Sequence, residues 1–498
     1  MTATTTNKSL PISITRFNCT NKDFQRFYDK YLNHTEKERD PYNVSIDLLP
    51  FITNVSTSKF DGTCGLKGIT GEFFRDLRGT DTSISDYVRD AEAKVESELN
   101  KMEVPISTIE RFKDIMRDLM TTDNQFVPIE ASFLQYYSLD VKENGKVTKY
   151  GAGQRRLATY LSSMILDKSA YNGVTTPSNL LSQIIKTSLD SAEQPAKEKK
   201  DSYYILPFVR RQFEEDLKWF LSKDDYVIIK YIDLFLYFYV CYSVAQTIMS
   251  LDACNKVTKD LEQPESCYFV LADEPASEKR YAVTHGWSSR FKSRFIEKMY
   301  GRMQAVDILN TIAKAYEDEI VGLYPNLLQR FSSVPFEDNE EMCFNVLEYY
   351  NKEKSEILKN RDSETNRGHI GEDFNCTVSS YEEFFKKLES LCMKLQSQTY
   401  QSKFSSQIVD LFKIRLLQQR RGRGHAVLVL DEEMLPFLIA LFTRERRTKL
   451  KDLYSKFAEY GICFDMKTKE MLAQQLQKMN VLERKSDSGE AQYATVIL

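Results

Sequence analysis

The chain has 498 residues, more than one hydrophobic core usually supports, so its length predicts about two to four domains and we expect three. Its 68 Lys and Arg residues stand against 72 Asp and Glu residues, a formal net charge of −4, which excludes a protein that attracts nucleic acid with its whole surface. Hydrophobic residues make up 42% of the chain and aromatic residues 12%, which excludes global disorder. The low numbers of glycine, 18, and proline, 13, favour a helix-rich chain.

The nine cysteines are scattered, without a CxxC pair or a Cys/His cluster at the spacing of zinc ligands. This pattern indicates buried, reduced thiols and a cytoplasmic protein. The N-terminal sequence MTATTTNKSLPISITRF lacks the basic region and apolar core of a secretory signal, which favours the same compartment.

The first predicted domain covers residues 1–150 and mixes strand-like with helical segments. Four glycines at intervals of three run through DGTCGLKGITGEFF, as in a phosphate-binding loop. They lack the Lys-Ser or Lys-Thr pair of a P-loop, so we interpret the run as a structural loop before a helix that starts near Glu72. The segment KENGKVTKYGAGQRR then predicts a hairpin turn at Asn144-Gly145 and a basic glycine loop that closes the domain.

Residues 157–419 are predicted to form a large helical middle domain, because most segments there repeat apolar residues at three-to-four spacing. The apolar segment Tyr231–Leu251 is long enough to cross a membrane. Asp233 and Gln246 interrupt it, and its four tyrosine hydroxyls need partners, so we predict a buried core helix and no membrane contact. The stretch CYFVLADEPASEKRYAVTHGW differs from its surroundings and predicts a strand followed by a strand-to-helix corner.

The C-terminal residues 425–498 suggest, in order, a strand, three short helices and a β-hairpin, which predicts a winged helix. Val427–Leu430 is the predicted strand, Asp431 the cap of the first helix and Gly461 the end of the second. The third helix is predicted to follow the cap Asp465, and Ser486–Glu490 the turn of the wing.

Leu472, Leu476 and Met479 are predicted to form the buried stripe of that third helix. The fold class expected from the whole chain is therefore mainly α (α+β), with a mixed N-terminal domain, a helical middle domain and a C-terminal winged helix.

In helix-turn-helix proteins the helix before the wing enters the major groove, and nearby basic side chains neutralise phosphates. The linker RRGRG at residues 420–424 adds guanidinium groups suited to bidentate phosphate contacts. The predicted DNA-binding residues are Arg420, Arg421, Arg423, Lys467, Lys469, Lys478, Arg484 and Lys485. A protein-docking winged helix behind a merely solubilising linker is the alternative, because several glutamates share this segment.

Motifs for catalysis are incomplete. AVLVLDEE resembles a Walker B strand, but no GxxxxGK[ST] accompanies it, and the same residues serve as the first strand and helix cap of the winged helix. The carboxylate and lysine signatures of a nuclease are not recognisable, and none of the four histidines belongs to a triad pattern. We therefore predict no catalytic residue, no metal site and no cofactor.

Four parts of the chain together resemble one protein family: a mixed N-terminal region, the basic glycine loop YGAGQRR, a strand leading into ADEPAS…HGW, and the C-terminal tract GHAVLVLDEEM…SDSGEAQY. This family is DptG, also called DndG, and the resemblance covers most of the chain. Its members supply one subunit of the three-protein restriction module that acts with DNA phosphorothioation systems in bacteria.

The resemblance implies a cytoplasmic antiviral adaptor without catalytic residues of its own. It would work beside the ATPase or helicase subunits of the same module, the F and H components, against DNA that lacks the phosphorothioate mark, and we expect it to bind double-stranded DNA. Two alternatives stay open. One is a metal-dependent nuclease or other DNA-processing enzyme whose carboxylates meet only in the fold, and the other is a scaffold subunit whose winged helix docks on protein alone.

Overall fold

The computed structural model describes residues 48–51, 66–81, 87–122, 125–142, 146–175, 182–183, 186, 194–195, 203–252, 261–274, 280–313, 322–361, 374–395, 398–419, 426–484 and 492–498. Of these residues, 66% are helical and 8% lie in strands, which confirms a mainly α protein. The chain divides into two compact units. The first unit consists of residues 1–46, 248–260 and 295–402, and the second of residues 47–247, 261–294 and 403–498.

The α-helices of the described residues are α1 (Lys67–Arg78), α2 (Tyr87–Lys101), α3 (Ile106–Met120), α4 (Lys149–Ser162), α5 (Pro207–Phe220), α6 (Asp225–Ser250), α7 (Tyr281–Thr284), α8 (Glu297–Ile312), α9 (Tyr324–Phe331), α10 (Glu340–Arg361), α11 (Tyr381–Lys394), α12 (Gln398–Lys413), α13 (Met434–Thr443), α14 (Leu450–Ala458) and α15 (Met466–Lys478). Shorter 3-10 helices cover Ala131–Tyr136, Lys168–Thr175 and Phe336–Asp338, and a π-helix covers Trp287–Ile296.

The strands are β1 (Thr80–Asp81), β2 (Thr121–Thr122), β3 (Gln125–Phe126), β4 (Gln194–Pro195), β5 (Cys267–Leu271), β6 (Leu417–Gln419), β7 (Ala426–Leu430), β8 (Thr448–Lys449), β9 (Ile462–Cys463), β10 (Leu482–Arg484) and β11 (Gln492–Ala494). Two of the pairings, β1 with β4 and β2 with β3, are short antiparallel pairs of two residues each.

Helix α1 begins at Lys67, so the predicted structural loop before Glu72 is wrong at its end: Gly68 and Gly71 lie inside the helix. At both glycines another part of the chain packs too close to the helix backbone to leave room for a side chain. A Cβ atom on Gly71 would lie 2.0 Å from the carbonyl oxygen of Tyr137, and one on Gly68 would lie 2.5 Å from Oε1 of Gln154. Glycine therefore serves helix packing here, which local sequence rules do not register.

The basic glycine segment YGAGQRR is also helical and not a loop, because it forms the first turns of α4. Thr148 caps this helix: its hydroxyl oxygen accepts hydrogen bonds from the backbone N–H groups of Tyr150 at 3.2 Å and Gly151 at 3.1 Å. The predicted Asn144-Gly145 turn lies outside the described residues, and an antiparallel bridge joins Val141 to Val147 on either side of it.

Helix α6 carries most of the predicted core segment Tyr231–Leu251, and it is the one helix among the described residues that is long and apolar enough to span a membrane. Its most apolar window is 78% buried within the protein, as is typical of the core helix of a soluble protein. Its tyrosine hydroxyls have polar partners: Tyr237 donates to the carbonyl of Leu411 at 3.0 Å, and Tyr242 to Oε1 of Gln212 at 2.7 Å. The prediction of a buried core helix is confirmed.

The second unit contains a four-stranded sheet in the order β6-β7-β5-β9. Strand β5 is parallel to β7, with Phe269 opposite Leu428, and parallel to β9, with Cys267 opposite Ile462, whereas β6 is antiparallel to β7. The prediction of Val427–Leu430 as the first strand of a winged helix is therefore wrong in its partners, because β7 pairs with β5 and β6 of this sheet and not with the C-terminal hairpin. The two compact units therefore differ from the predicted division at 1–150, 157–419 and 425–498, because main-chain hydrogen bonds join residues far apart in sequence.

A second sheet lies near the C-terminus. Strand β10 pairs antiparallel with β11, and β11 pairs antiparallel with β8, with Ala494 opposite both Leu482 and Thr448. The predicted hairpin after the third helix is thus confirmed in its two strands, while its turn, Ser486–Glu490, lies outside the described residues.

A buried carboxylate on α5, Asp216, bonds to side chains of the C-terminal segment and of α6. Asp216 on α5 is fully buried and accepts hydrogen bonds from the hydroxyl of Tyr460 at 2.9 Å, from the hydroxyl of Tyr239 on α6 and from Nη2 of Arg444. Burial raises the pKa of Asp216, and the Arg444 guanidinium and the tyrosine hydroxyls oppose that effect. Aromatic rings continue the contact, because Phe437 on α13 stacks on Tyr231 with ring centroids 5.8 Å apart.

The first unit is helical over its described residues. Arg302 on α8 is buried, and its Nε donates to Oε1 of Glu389 on α11 at 3.0 Å while its Nη2 donates to Asp252. Ser380 is the N-cap of α11 and accepts from the N–H of Glu383 at 3.2 Å, and the Glu383 carboxylate accepts from the N–H of Ser379, the residue before the cap, at 2.9 Å. The hydroxyl and N–H of Ser379 lower the pKa of Glu383 to about 2.

Candidate nucleic-acid interface

Helix α15 is the predicted recognition helix, and its start follows the prediction. Asp465 is its N-cap and accepts a hydrogen bond from the N–H of Thr468 at 2.9 Å. Leu472 and Leu476 are fully buried, as expected. Met479 is 37% exposed, so its place in the buried stripe was wrong, because the helix ends at Lys478 and the chain turns there.

The N-terminal turn of α15 is anchored to the corner that follows β5. Arg280 donates from Nη2 to Asp465 and, at 2.8 Å, to the hydroxyl of Thr468, and its Nη1 donates to the fully buried Glu274. Burial alone would raise the pKa of Asp465, but hydrogen bonds from Arg280, Thr468 and Ala282 lower it below its ordinary value. The buried side of this turn is therefore occupied by the chain itself.

Three predicted DNA-binding lysines lie on α15, in different environments. Lys467 is exposed, but its ammonium group lies 3.1 Å from Oε2 of Glu470. Lys469 is half-buried, with its ammonium 5.2 Å from the centre of the Tyr454 ring. Lys478 is exposed in the last turn. Lys478 lies eleven positions after Lys467, about 16 Å along a helix axis, so the structure puts these two charges at opposite ends of one helix.

The other predicted DNA-binding residues lie outside α15. Arg484 is the last residue of β10, within the hairpin. Arg420, Arg421, Arg423 and Lys485 lie outside the described residues.

A basic segment that the sequence analysis missed runs from the end of α13 into the first turn of α14. RERRTKLK, residues 444–451, holds five basic residues among eight, a density that was a usable signal. Arg446, Lys449 and Lys451 are exposed, and none of them has an ion-pair partner within the described ranges. Arg447 differs, since it pairs with Glu483 at 2.8 Å and lies 4.1 Å from the centre of the Tyr493 ring.

The Walker-B-like residues at the carboxyl end of β7 act as a helix cap. Asp431 accepts hydrogen bonds from the N–H groups of Glu433 at 3.0 Å and Met434 at 2.7 Å, so it caps the turn that leads into α13, although the N-cap position of the helix itself is Glu433. Its other oxygen accepts from Nε of Arg415 at 2.7 Å. Over the ranges that the structure describes, no group of three or more His, Cys, Asp or Glu side chains has the geometry to hold a metal ion.

An apolar cavity of about 470 Å³, counted with its opening to solvent, lies between α6 and the four-stranded sheet. Phe238, Cys241, Phe269 and Leu428 are among its lining residues. The polar end of Gln246, also in the lining, is bonded to the backbone of Glu265. The lining offers van der Waals contact and no charged group, which does not suit a nucleic acid.

No protein-family model matches the sequence, and no curated protein sequence is significantly similar to it.

Proposed function

We propose that the chain is a non-catalytic DNA-binding adaptor subunit of a bacterial antiphage restriction complex, and that the C-terminal residues from α13 onward form a winged helix that contacts duplex DNA. The observation that carries the proposal is the order of elements α13, β8, α14, β9, α15, β10 and β11, with β8 hydrogen-bonded to β11. Apart from β9, which pairs with β5, this order and pairing match those of a helix-turn-helix followed by a wing and so support the proposal.

The charge distribution of the C-terminal segment supports contact with phosphates. The whole protein is slightly acidic, yet exposed cations gather between α13 and α14 and at both ends of α15. Local positive charge of this kind binds the DNA backbone without making the whole molecule basic.

The resemblance to the DptG family supports the wider setting. On that proposal the protein is cytoplasmic, acts with ATPase or helicase subunits of the same module, and contributes to restriction of DNA without phosphorothioate marks. It supplies positioning, and its partners supply ATP hydrolysis.

The test is a titration of the full chain with fluorescent duplex DNA at several salt concentrations. We expect tight binding at about 50 mM salt and marked weakening by about 200 mM, since phosphate contacts release counterions. The variant R420E/R421E/R423E and the variant K467Q/K478Q should each weaken binding at low salt. Wild-type protein that does not bind duplex DNA at about 50 mM salt would contradict the proposal.

A protein-docking role is the second candidate, and one observation favours it. The buried side of the N-terminal turn of α15 is held against Glu274 and Arg280, so part of the helix that would enter a major groove already has a protein partner. Under this alternative the R420E/R421E/R423E variant binds DNA as wild type does. Magnesium-dependent cleavage of DNA by the purified chain, lost on mutation of one acidic cluster, would instead support the nuclease alternative.

A further inference from the structure

We infer that duplex DNA is held chiefly by the β8–α14 basic surface, defined as Arg446, Lys449 and Lys451, and that α15 makes the secondary contact. This inference rests on the proposed function and assigns the principal phosphate contacts to residues outside the expected recognition helix. The partner is the sugar-phosphate backbone of double-stranded DNA, read without regard to base sequence.

The cations of the β8–α14 basic surface are available to bind phosphate. The three side chains fall within six residues, are exposed, and have no ion-pair partner among the residues described. A cation that is already paired must give up its partner to bind a phosphate, whereas an unpaired one releases counterions directly. The surface therefore has three cations ready for phosphate.

The backbone at the β8–α14 basic surface is held in place by the neighbouring sheet. Lys449 lies in β8 opposite Tyr493 of β11, so the sheet fixes its backbone. Arg447, beside it, braces the hairpin through Glu483 and the Tyr493 ring. Side chains on a braced strand and the first turn of a helix lose less conformational freedom on binding than side chains on a loose linker.

The cations of α15 are less available than those of the β8–α14 basic surface. Lys467 is paired with Glu470, Lys469 is half-buried against Tyr454, and the N-terminal turn is anchored by Arg280. Lys478 at the far end is exposed. This helix offers fewer available cations than the β8–α14 basic surface.

The chemistry of the surface also indicates what it reads. The β8–α14 basic surface carries only Arg and Lys, which bind phosphate oxygens and can also pair with guanine in the major groove. We assign these three side chains to phosphates, and phosphate contacts position a protein on the duplex without carrying sequence information. We therefore expect similar affinities for duplexes of unrelated sequence.

The test compares four variants of the full chain with wild type in salt titrations against a fluorescent duplex. R446Q/K449Q/K451Q removes the surface, K142Q/K218Q/K292Q removes the same charge from exposed positions elsewhere in the second unit, and K467Q/K478Q removes the exposed cations of α15. For the first variant we expect the slope of log K against log salt to shrink by about 0.9 per lost contact, roughly 2 to 3 in all, with at least about tenfold weaker binding.

The control K142Q/K218Q/K292Q should keep the wild-type slope, and the charge-preserving variant R446K/K449R/K451R should keep wild-type affinity. Circular dichroism confirms that each variant is folded. An unchanged slope in R446Q/K449Q/K451Q, or an equal loss in the control, overturns the inference. A larger loss in K467Q/K478Q overturns it while leaving the proposed function intact, whereas wild-type protein that fails to bind DNA removes the proposed function itself.

Discussion

Arg444 and its neighbours Arg446, Lys449 and Lys451 belong to one basic segment but meet opposite environments. Arg444 adopts a left-handed backbone conformation (φ 55°) at the end of α13, and its guanidinium pairs with the fully buried Asp216. The other three side chains point into solvent. The comparison shows that neighbouring basic residues can serve different purposes. One pairs with a buried carboxylate inside the protein, and the others stay exposed, where they can bind an anion.

The energetic consequence differs just as sharply. Removing one partner of a buried pair leaves an uncompensated charge, whereas an exposed charge is already solvated and contributes little to folding. Stability measurements and DNA affinity should therefore respond to different members of the same segment.

The largest effect is expected for Asp216→Ala. The variant removes the acceptor for Arg444, Tyr239 and Tyr460, so the free energy of unfolding should fall by about 3 kcal/mol, the lower end for a broken buried pair because Arg444 keeps some exposure. Urea denaturation measures it. A loss below about 1 kcal/mol would erase the distinction between the interior and surface members of the segment.

Arg280→Gln should have the next largest effect. Glu274 would lose its charged partner inside the protein, at a cost of about 1 to 3 kcal/mol, and the first turn of α15 would lose its anchor. Urea denaturation gives the free energy, and hydrogen exchange at residues 466–470 reports the turn. The double variant E274Q/R280Q should recover part of the loss, and a double variant less stable than R280Q would show that the ion pair is not the cause.

Acid should weaken the same anchor. The pKa of Asp465 is lower in the folded protein than its ordinary value, so its ionised form stabilises the fold above that ordinary value and the contribution is lost as pH falls through the lowered pKa. Between about pH 5 and pH 2 the thermal midpoint of wild type should therefore fall more than that of Asp465→Asn. Parallel pH profiles of the two proteins would disprove this role for the carboxylate.

The smallest effect on folding is expected for R446Q/K449Q/K451Q. Because the three side chains are exposed and unpaired within the described part of the chain, the free energy of unfolding should change by no more than about 0.5 kcal/mol. Urea denaturation beside the DNA titration makes the comparison sharp. A loss of folding stability above about 1 kcal/mol would mean that these cations serve the fold.

Predictions that depend on local chemistry agree with the structure. The caps Asp431 and Asp465 bond to backbone N–H groups two or three residues ahead, and Gly461 has a φ of 68°, which favours glycine. The stripe of Leu472 and Leu476 follows from helical periodicity. Each of these rests on a few neighbouring residues, which is why sequence reasoning can reach them.

What sequence reasoning did not reach depends on contacts made far along the chain. Gly71 is required because Tyr137, 66 residues later, lies against α1, and the glycine pattern alone favoured a loop. The partner of Arg444 on α5 and the neighbours of β5 are equally remote. The exposure of Lys449 and Lys451 could not be predicted for the same reason, since a run of basic residues in the sequence does not show which of them will be buried.

The four-stranded sheet also has a consequence for synthesis of the chain. Strand β5 lies between β7 and β9, and both of those strands are made about 160 to 190 residues after it. At roughly 5 to 20 residues per second, β5 waits about 10 to 40 s on the ribosome before either neighbour exists. During that interval both of its edges lack their final partners, so CYFVL is open to pairing with another nascent chain.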